Sequence, residues 1–238
     1  MTKRLAFGLF LSIFILGACR NDAPRDIRNY YFPLRQLTEG LVYEYRADDS
    51  LTPAYWHYRS ILGKEGHFLT STYYEQELEP LQMTREEMVS NGMLLRDLRL
   101  FATDTAGLAR TTTVQIEHGN VFPFQVTDSL GVFLYKVSWT DEEGQQITLT
   151  RNRRFLGDTS FHFEGRTWPG VVFSLIESIE LDHPQQGYFE QQLQGREGYA
   201  HELGLFFYGK APKGQAPIIF SLRDRYTMEE LEKKANKR

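Results

Sequence analysis

The residues that could do chemistry in this chain are its one cysteine, its six histidines and its thirty-one acidic side chains. No two histidines have the i, i+4 spacing of a helical metal site, and no second cysteine could join them as a ligand. We therefore predict no bound metal and no cofactor. The histidines are His57, His67, His118, His162, His183 and His201.

The local motifs of the commonest catalytic sites are also missing. No Gly-x-Ser-x-Gly turn presents a nucleophilic serine, and the loop at residues 209–214 carries two lysines without the spacing of a phosphate-binding loop. We therefore expect a protein that is not an enzyme. Hydrolysis by a pair of carboxylates stays open as an alternative, because the distance between two carboxylates depends on the fold.

The cysteine, Cys19, stands at the end of a short export signal. A basic start is followed by an apolar run over residues 5–18, which is shorter than the roughly 20 residues that span a bilayer. Leu16, Gly17 and Ala18 lead directly into Cys19 and resemble the lipobox of bacterial lipoproteins. The resemblance implies a signal peptide over residues 1–18, cleavage before the cysteine and membrane attachment through acyl chains on its sulfur. The alternative is an ordinary export signal with an incidental cysteine.

The residues after the cysteine suggest where in the cell envelope the protein is located. Residues 19–29 are polar and are predicted to form a tether. The position after Cys19 is Arg20 rather than aspartate, and the lipoprotein resemblance then implies the outer membrane, on its periplasmic or its cell-surface face. The chain carries a net charge of −4 and no dense block of lysine and arginine, which argues against nucleic acid as a partner.

The rest of the chain has the pattern of one β-rich domain over residues 30–226. Aromatic residues make up 14% of the chain, and apolar and polar residues alternate in short runs between turn signals, which favours strands. The strands are predicted at residues 41–46, 56–62, 68–75, 93–103, 111–118, 121–126, 132–139, 146–151, 153–156, 160–163, 171–181, 187–193, 203–208 and 218–222.

Two capping-box patterns predict short helices. Thr84 and Glu87 predict a helix of about two turns over residues 83–88, with Asn91 and Gly92 ending it. Thr227 and Glu230 predict a second helix over residues 227–238, with acidic residues first and basic residues last.

Two further stretches are similar to segments of lipoproteins from the Bacteroidota. These stretches are residues 30–34 (Tyr-Tyr-Phe-Pro-Leu), followed by Gly40 and an aromatic strand, and residues 199–205 (Tyr-Ala-His-Glu-Leu-Gly-Leu). Such proteins resemble the half-barrel lipoprotein-carrier fold (LolA/LolB-like). The resemblance implies a mainly β protein of unknown function, with a single antiparallel curled sheet, or half-barrel, and one or two short helices.

Aromatic side chains on the strands suggest what such a sheet would bind. On a concave face they would form an apolar groove for an acyl chain or another hydrophobic ligand, although the more usual role of such residues is to fill the core. The sequence thus favours a lipid-anchored, non-enzymatic binding module. The alternatives are a structural or accessory subunit that docks on an envelope protein, and a hydrolase acting on envelope polymers. The groove residues are predicted to be Tyr43, Tyr45, Trp56, Tyr58, Trp139 and Trp168.

Overall fold

The computed structural model describes residues 23–47, 52–103, 107–127 and 132–236. The predicted signal peptide, the lipobox and Cys19 lie outside the described residues. In the part of the chain that is described, no helix is both long enough and apolar enough to cross a membrane.

The described residues are mainly β, as predicted. The strands are β1 (Arg25–Asp26), β2 (Leu41–Ala47), β3 (Ala54–Gly63), β4 (Gly66–Tyr74), β5 (Pro80–Val89), β6 (Gly92–Thr103), β7 (Ala109–Thr113), β8 (Gln115–Pro123), β9 (Gln125–Val126), β10 (Phe133–Thr140), β11 (Gln146–Phe163), β12 (Arg166–His183), β13 (Gly187–Ala200), β14 (Gly204–Pro212) and β15 (Ile218–Tyr226). Two 3-10 turns at Arg28–Tyr30 and Leu34–Gln36 and one helix, α1 (Met228–Ala235), complete the fold.

The main sheet is a closed antiparallel barrel of twelve strands, so the prediction of a half-barrel is wrong. Successive strands pair in chain order, and the first strand of the ring, β2, pairs with the last, β15, through Val42 opposite Tyr226 and Tyr45 opposite Leu222. Strands β7 and β8 are successive parts of one bent segment beside β6. Local alternation predicts strands, but closure depends on this pairing of distant segments.

The helix predicted over residues 83–88 is wrong, because that segment lies inside β5. Strand β5 is hydrogen-bonded to β4 on one side and to β6 on the other. The Thr84 hydroxyl lies 2.5 Å from the Ser71 hydroxyl of β4 and does not cap a helix. Pairing on both edges has overridden the local capping signal.

The C-terminal capping box is present as predicted. Thr227 accepts a hydrogen bond from the Glu230 amide, and the Glu230 side chain accepts one from the Thr227 amide. The helix buries Leu231 against Val42 and Tyr226 of the barrel wall. Met228 packs in the same cluster, and Lys234 reaches Asp224 at 2.9 Å and the Tyr226 ring, so the helix is held to the outside of the barrel by apolar and charged contacts.

One end of the barrel is covered by residues 27–37, which we call the plug. The Ile27 amide donates to the Phe124 carbonyl at 2.8 Å, and the Leu37 carbonyl accepts from the Ser60 amide at 2.9 Å. Strand β1, inside the predicted tether, pairs with β9 at the same end. The plug side chains that are buried among the aromatic residues of the barrel interior are Ile27, Tyr31, Phe32, Leu34 and Leu37.

The two stretches that resemble Bacteroidota lipoproteins are in contact with each other at the plug. The Glu202 amide donates to the Asn29 carbonyl at 2.9 Å, and the rings of Tyr30 and His201 meet edge to face. Gly204 has a φ of +89°, and a Cβ there would lie 2.4 Å from the Phe32 ring. Glycine is therefore needed at position 204 both for the backbone conformation of the turn and for the close packing of the plug against it.

Candidate functional site

A cavity of about 350 Å³ lies inside the barrel, between the plug and the opposite end. Tyr31 and Phe32 of the plug contribute to its lining, together with inward-facing residues of the strands around the ring. This volume lies within the range of pockets for small molecules, which begins at roughly 300 Å³. The cavity is the candidate site because it combines this volume with both apolar and charged side chains.

Most of the cavity wall is apolar and aromatic. The rings of Trp56 and Tyr73 pack with their centroids 5.1 Å apart, and Phe32 lies on Tyr58 with centroids 4.0 Å apart. The apolar lining residues are Tyr31, Phe32, Trp56, Tyr58, Leu95, Leu98, Leu100, Val121, Tyr135, Val137, Trp139, Leu149, Leu175, Tyr199, Leu205 and Tyr208.

The structure divides the six predicted groove residues into two groups. Trp56, Tyr58 and Trp139 line the cavity. Tyr43 and Tyr45 are fully buried in the core, where their hydroxyls donate to backbone carbonyls of residues 203 and 205. Trp168 also packs against the core, and its indole N–H donates to the Phe163 carbonyl at 3.2 Å. Inward positions therefore serve either the core or the cavity even where they are paired across strands, as Tyr43 and Trp56 are.

A second feature of the cavity is a set of charged residues that the sequence analysis missed. We call Glu86, Arg151, Arg153, Glu177, Glu197 and Lys210 the charged cluster. All except Glu177 line the cavity, and Glu177 lies beneath Arg151 and Lys210 with 1% of its side chain exposed. The only sequence signal was that these charges share a strand face with apolar residues, as Arg151 does with Leu149.

Two ion-pair groups organise the charged cluster. Arg153 donates to both oxygens of Glu197, at 2.8 Å from Nε and 3.2 Å from the second nitrogen, and a third donor reaches the Val121 carbonyl at 2.7 Å. Glu177 accepts from Arg151 Nε at 2.7 Å on one oxygen and from Lys210 Nζ on the other. Tyr199 adds a hydroxyl donor to Glu197 at 3.0 Å. Both carboxylates are therefore held by cations and hydrogen bonds.

These partners set the protonation states of the two paired carboxylates. Burial alone would raise the pKa of Glu177 and of Glu197, because it disfavours the charged form. The facing arginines, with Lys210 at Glu177, outweigh burial and hold both pKa values below the usual range. Both groups are therefore ionised at neutral pH.

Glu86 behaves in the opposite way. Burial raises its pKa to about 7, and the hydrogen bond from the Tyr31 hydroxyl and the charge of Arg153 offset only part of that effect. The groups that affect it or face it are Tyr31 from the plug, Arg153 from β11, Glu197 and Tyr199 from β13 and Tyr135 from β10. A carboxyl with this pKa exchanges its proton near neutral pH.

The six histidines lie apart from the cavity lining. His162 is close to the Thr167 hydroxyl, and His183 accepts backbone N–H bonds in the turn of the β12–β13 hairpin. Within the described ranges, no group of three or more histidine, cysteine or acidic residues is placed to hold a metal.

The fold and the cavity together define a closed antiparallel barrel with an amphipathic interior. The fold is similar to that of a protein from Bacteroides fragilis that is provisionally described as exported and as having a YmcC-like fold. The two chains share 10% sequence identity with a TM-score of 0.51, over 83% of this chain and 99% of the other. At that identity the likeness concerns the fold alone.

A second solved structure is a protein from Parabacteroides distasonis that is provisionally described as a lipoprotein. It shares 11% identity with a TM-score of 0.48, over 83% of this chain and 98% of the other. The chain matches no protein-family model and no curated protein. The likeness to the lipoprotein-carrier fold stays a prediction.

Proposed function

We propose that this chain is a lipid-anchored lipoprotein of the bacterial envelope that binds an apolar ligand or acyl chain inside its barrel and performs no chemistry on it. The observation that carries the proposal is the cavity of about 350 Å³ with its aromatic wall. If each ligand atom takes about the 30 Å³ that a water molecule takes in the liquid, that space holds on the order of a dozen non-hydrogen atoms.

The cavity wall provides the contacts that such a ligand needs. Trp56, Tyr58, Trp139 and Tyr208 present flat, rigid rings, which bury apolar surface with little loss of side-chain freedom. Each methylene group moved from water onto such a surface contributes about 0.8 kcal/mol. An alkyl chain that fills the cavity would thus be bound without any covalent or metal chemistry.

A pair of variants on one strand tests the cavity. Leu149→Trp enlarges a side chain in the cavity wall, whereas Leu156→Trp enlarges a half-exposed side chain of the same strand, outside the cavity. We expect the neutral fluorescent probe 1-naphthylamine, which is small enough for the cavity, to bind the wild type and Leu156→Trp equally and Leu149→Trp at least about tenfold more weakly, because the added ring occupies cavity volume. Circular dichroism checks that both variants fold. Equal binding by all three proteins would contradict the proposal.

The anchor has a separate test. The lipobox pattern at Leu16–Cys19, outside the described residues, supports acylation of Cys19, and acylation on several chains gives stable membrane attachment. Cys19→Ala should release the protein from the membrane fraction and abolish the mass of the acyl chains in intact-mass spectra. A processed Cys19→Ala protein that still sediments with membranes would overturn the lipoprotein assignment. The distribution of the wild-type protein between separated inner and outer membranes tests the outer-membrane location.

A docking role has one specific observation in its favour. Strand β13 pairs with β14 only from Leu193 onward, so residues 187–192 have no strand beside them on that edge among the described residues. Tyr188 and Phe189 on this segment are 61% and 56% exposed. Exposed aromatic residues on an open edge are typical of strand-addition surfaces. The double variant Tyr188→Ser, Phe189→Ser would lose an envelope complex on native gels but keep probe binding.

The hydrolase alternative rests on Glu86, whose pKa of about 7 suits a general acid. A second, free carboxylate would be needed for glycoside cleavage. Glu177 and Glu197 are both held by cations, so the cavity favours binding over hydrolysis. Release of sugar or peptide fragments from cell-wall polymers by the wild type, and not by Glu86→Gln, would establish the alternative.

A further inference from the structure

We infer that the cavity takes a singly charged anionic amphiphile, with its carboxylate-type head group bound by Arg151 and Lys210 and its alkyl chain against the aromatic wall. The inference deepens the proposed function and rests on it. It is carried by the balance of hydrogen-bond donors and acceptors in the charged cluster.

The acceptors of the charged cluster are largely occupied by the protein itself. Each oxygen of Glu177 accepts from a cation, one from Arg151 and the other from Lys210. Each oxygen of Glu197 accepts from Arg153, and one of them also accepts from Tyr199. A cationic or donor-rich head group would therefore have to compete with existing charge-assisted bonds, which are the strongest hydrogen bonds in proteins.

The donors of the cluster are in surplus. A guanidinium has five N–H donors and an ammonium has three. Arg151 directs Nε and one terminal nitrogen at Glu177, while its other terminal nitrogen lies 3.9 Å from Glu197, too far for a hydrogen bond. Lys210 makes its contact with Glu177 and keeps 42% of its side chain exposed. Both cations thus have N–H groups available for a ligand acceptor.

Arg151 is also held in position for such a ligand. It lies directly across from Glu177 on β12 and Tyr135 on β10, and its guanidinium carbon is 5.5 Å from the centre of the Tyr135 ring. The carboxylate on one side and the aromatic ring on the other restrict its rotamers, so less entropy is lost when an anion binds. Arg153, in contrast, is only 4% exposed and is engaged by Glu197 and the Val121 carbonyl.

A further donor lies in the apolar part of the wall. Trp56 lines the cavity, and its buried indole N–H lies near the Tyr208 hydroxyl without forming a hydrogen bond of good geometry. An unsatisfied buried donor costs free energy that a ligand acceptor would recover. This donor also favours a ligand that brings oxygen acceptors.

The net charge of the charged cluster also favours an anionic ligand. Arg151, Arg153 and Lys210 are cationic, and Glu177 and Glu197 are anionic. With Glu86 in its neutral form one positive charge is uncompensated in a partly buried site. A single anionic head group neutralises it, whereas a cationic head group would add to it.

Three ligands with the same alkyl chain and different head groups test whether the cavity prefers an anionic, a neutral or a cationic head group. Decanoate, decanol and decylammonium are titrated, below their aggregation concentrations and at pH 6.5, against the folded wild-type domain by calorimetry. We expect decanoate to bind at least about tenfold more tightly than either of the others, which is the ratio that one charge-assisted hydrogen bond supplies. Equal affinity for decanol would overturn the anionic head group but leave the cavity function standing. Tighter binding of decylammonium would show that the cavity prefers a cationic head group and would overturn the inference.

Failure of the inference is thus distinguishable from failure of the proposed function. If none of the three ligands and no neutral naphthylamine probe binds, the cavity function fails and the inference fails with it. If the probe and decanol bind as well as decanoate, only the inference fails.

Lysine variants locate the head group within the cavity. Lys210→Met should reduce the affinity for decanoate at least about fivefold and leave that for decanol unchanged, because one charged donor is removed. Lys213→Met, three residues further along the chain and exposed, is the matched control and should bind both as the wild type does. Lys210→Arg should restore decanoate binding. A Lys210→Met protein that is folded and binds decanoate normally would contradict the assignment of this residue.

Discussion

The hydroxyl of Tyr31 donates a hydrogen bond to the carboxyl group of Glu86, which joins the plug to the barrel wall beside the cavity that both residues line. Both groups are almost completely buried. Burial raises the pKa of Tyr31 well above its usual range and that of Glu86 to about 7. We therefore expect the packing of the plug against the barrel wall to depend on pH.

The stability of the domain should fall as the pH rises from 5 to 8. The folded state holds a proton on Glu86 up to a pKa of about 7, against an ordinary value of 4.5. A carboxyl group whose pKa is raised in the folded state stabilises the fold fully at pH values below its ordinary pKa. That stabilisation is lost as the pH rises through the pKa of the folded state. That shift corresponds to about 3 kcal/mol. Urea denaturation at pH 5 and pH 8 measures it.

Glu86→Gln serves as the control for this pH dependence. Glutamine cannot ionise, so the fall in the free energy of unfolding between pH 5 and pH 8 should be absent in Glu86→Gln. The lowered pKa of His57 adds a rise with pH that the wild type and the variant share. Tyr31→Phe should move the loss of stability to higher pH, because the Tyr31 hydrogen bond lowers the pKa of Glu86. Glu177 and Glu197, whose pKa values are lowered, act below pH 5 and do not affect this comparison. The same slope in Glu86→Gln as in the wild type would refute the assignment.

The plug should be more sensitive to Gly204→Ala than other turns are to the same change. Gly204 and Gly214 have nearly the same φ, +89° and +87°, so alanine costs about 1–2 kcal/mol of backbone strain at either position. At Gly204 the new Cβ would also lie 2.4 Å from the Phe32 ring, whereas at Gly214 no described heavy atom lies within 4 Å. We expect Gly204→Ala to be the more destabilising by about 1–3 kcal/mol, as for other overpacked sites. Equal melting temperatures would show that Phe32 is not packed there.

The Arg153–Glu197 pair should be costly to break on one side only. Arg153→Met leaves Glu197 ionised and buried, and removal of one partner of a buried pair typically costs about 3–5 kcal/mol. The matched control is Arg154→Met, on the adjacent residue of the same strand, whose side chain is exposed. The double variant Arg153→Met, Glu197→Gln should recover part of the loss because no unpaired charge remains. Denaturant midpoints measure all three, and a cost below that of Arg154→Met would contradict the pairing.

Tryptophan fluorescence should report on ligand binding from two of the three tryptophans. Trp56 and Trp139 line the cavity, whereas Trp168 is packed against the core with its N–H bonded to Phe163. A ligand that removes water from the cavity should change the emission of the wild type and of Trp168→Phe equally. Trp56→Phe and Trp139→Phe should each lose part of the change. A signal that disappears only in Trp168→Phe would place the ligand outside the cavity.

The two capping boxes show how far local sequence determines structure. Thr227 with Glu230 and Thr84 with Glu87 are the same pattern, yet the first caps a helix and the second lies in a strand. After Thr227 the chain leaves the barrel and needs to bury only one side chain, Leu231, so the local preference decides. At Thr84 both neighbouring strands supply hydrogen-bond partners, and their pairing outweighs a capping preference of about 1 kcal/mol.

The mainly β character, the strand positions in outline and the C-terminal capping box were determined by the sequence alone, because alternation and capping act between residues close in the chain. The lipobox at Cys19 is likewise a local pattern, and its assignment stays a prediction. Closure of the barrel through β2 and β15, and the meeting of Arg151, Glu177 and Lys210 from three strands, were decided by the tertiary structure. The physical reason is that a charge on a strand has no visible partner in sequence, since partners are assigned by register across the sheet. The same closure turned the expected open groove into a cavity lined by charged as well as apolar residues.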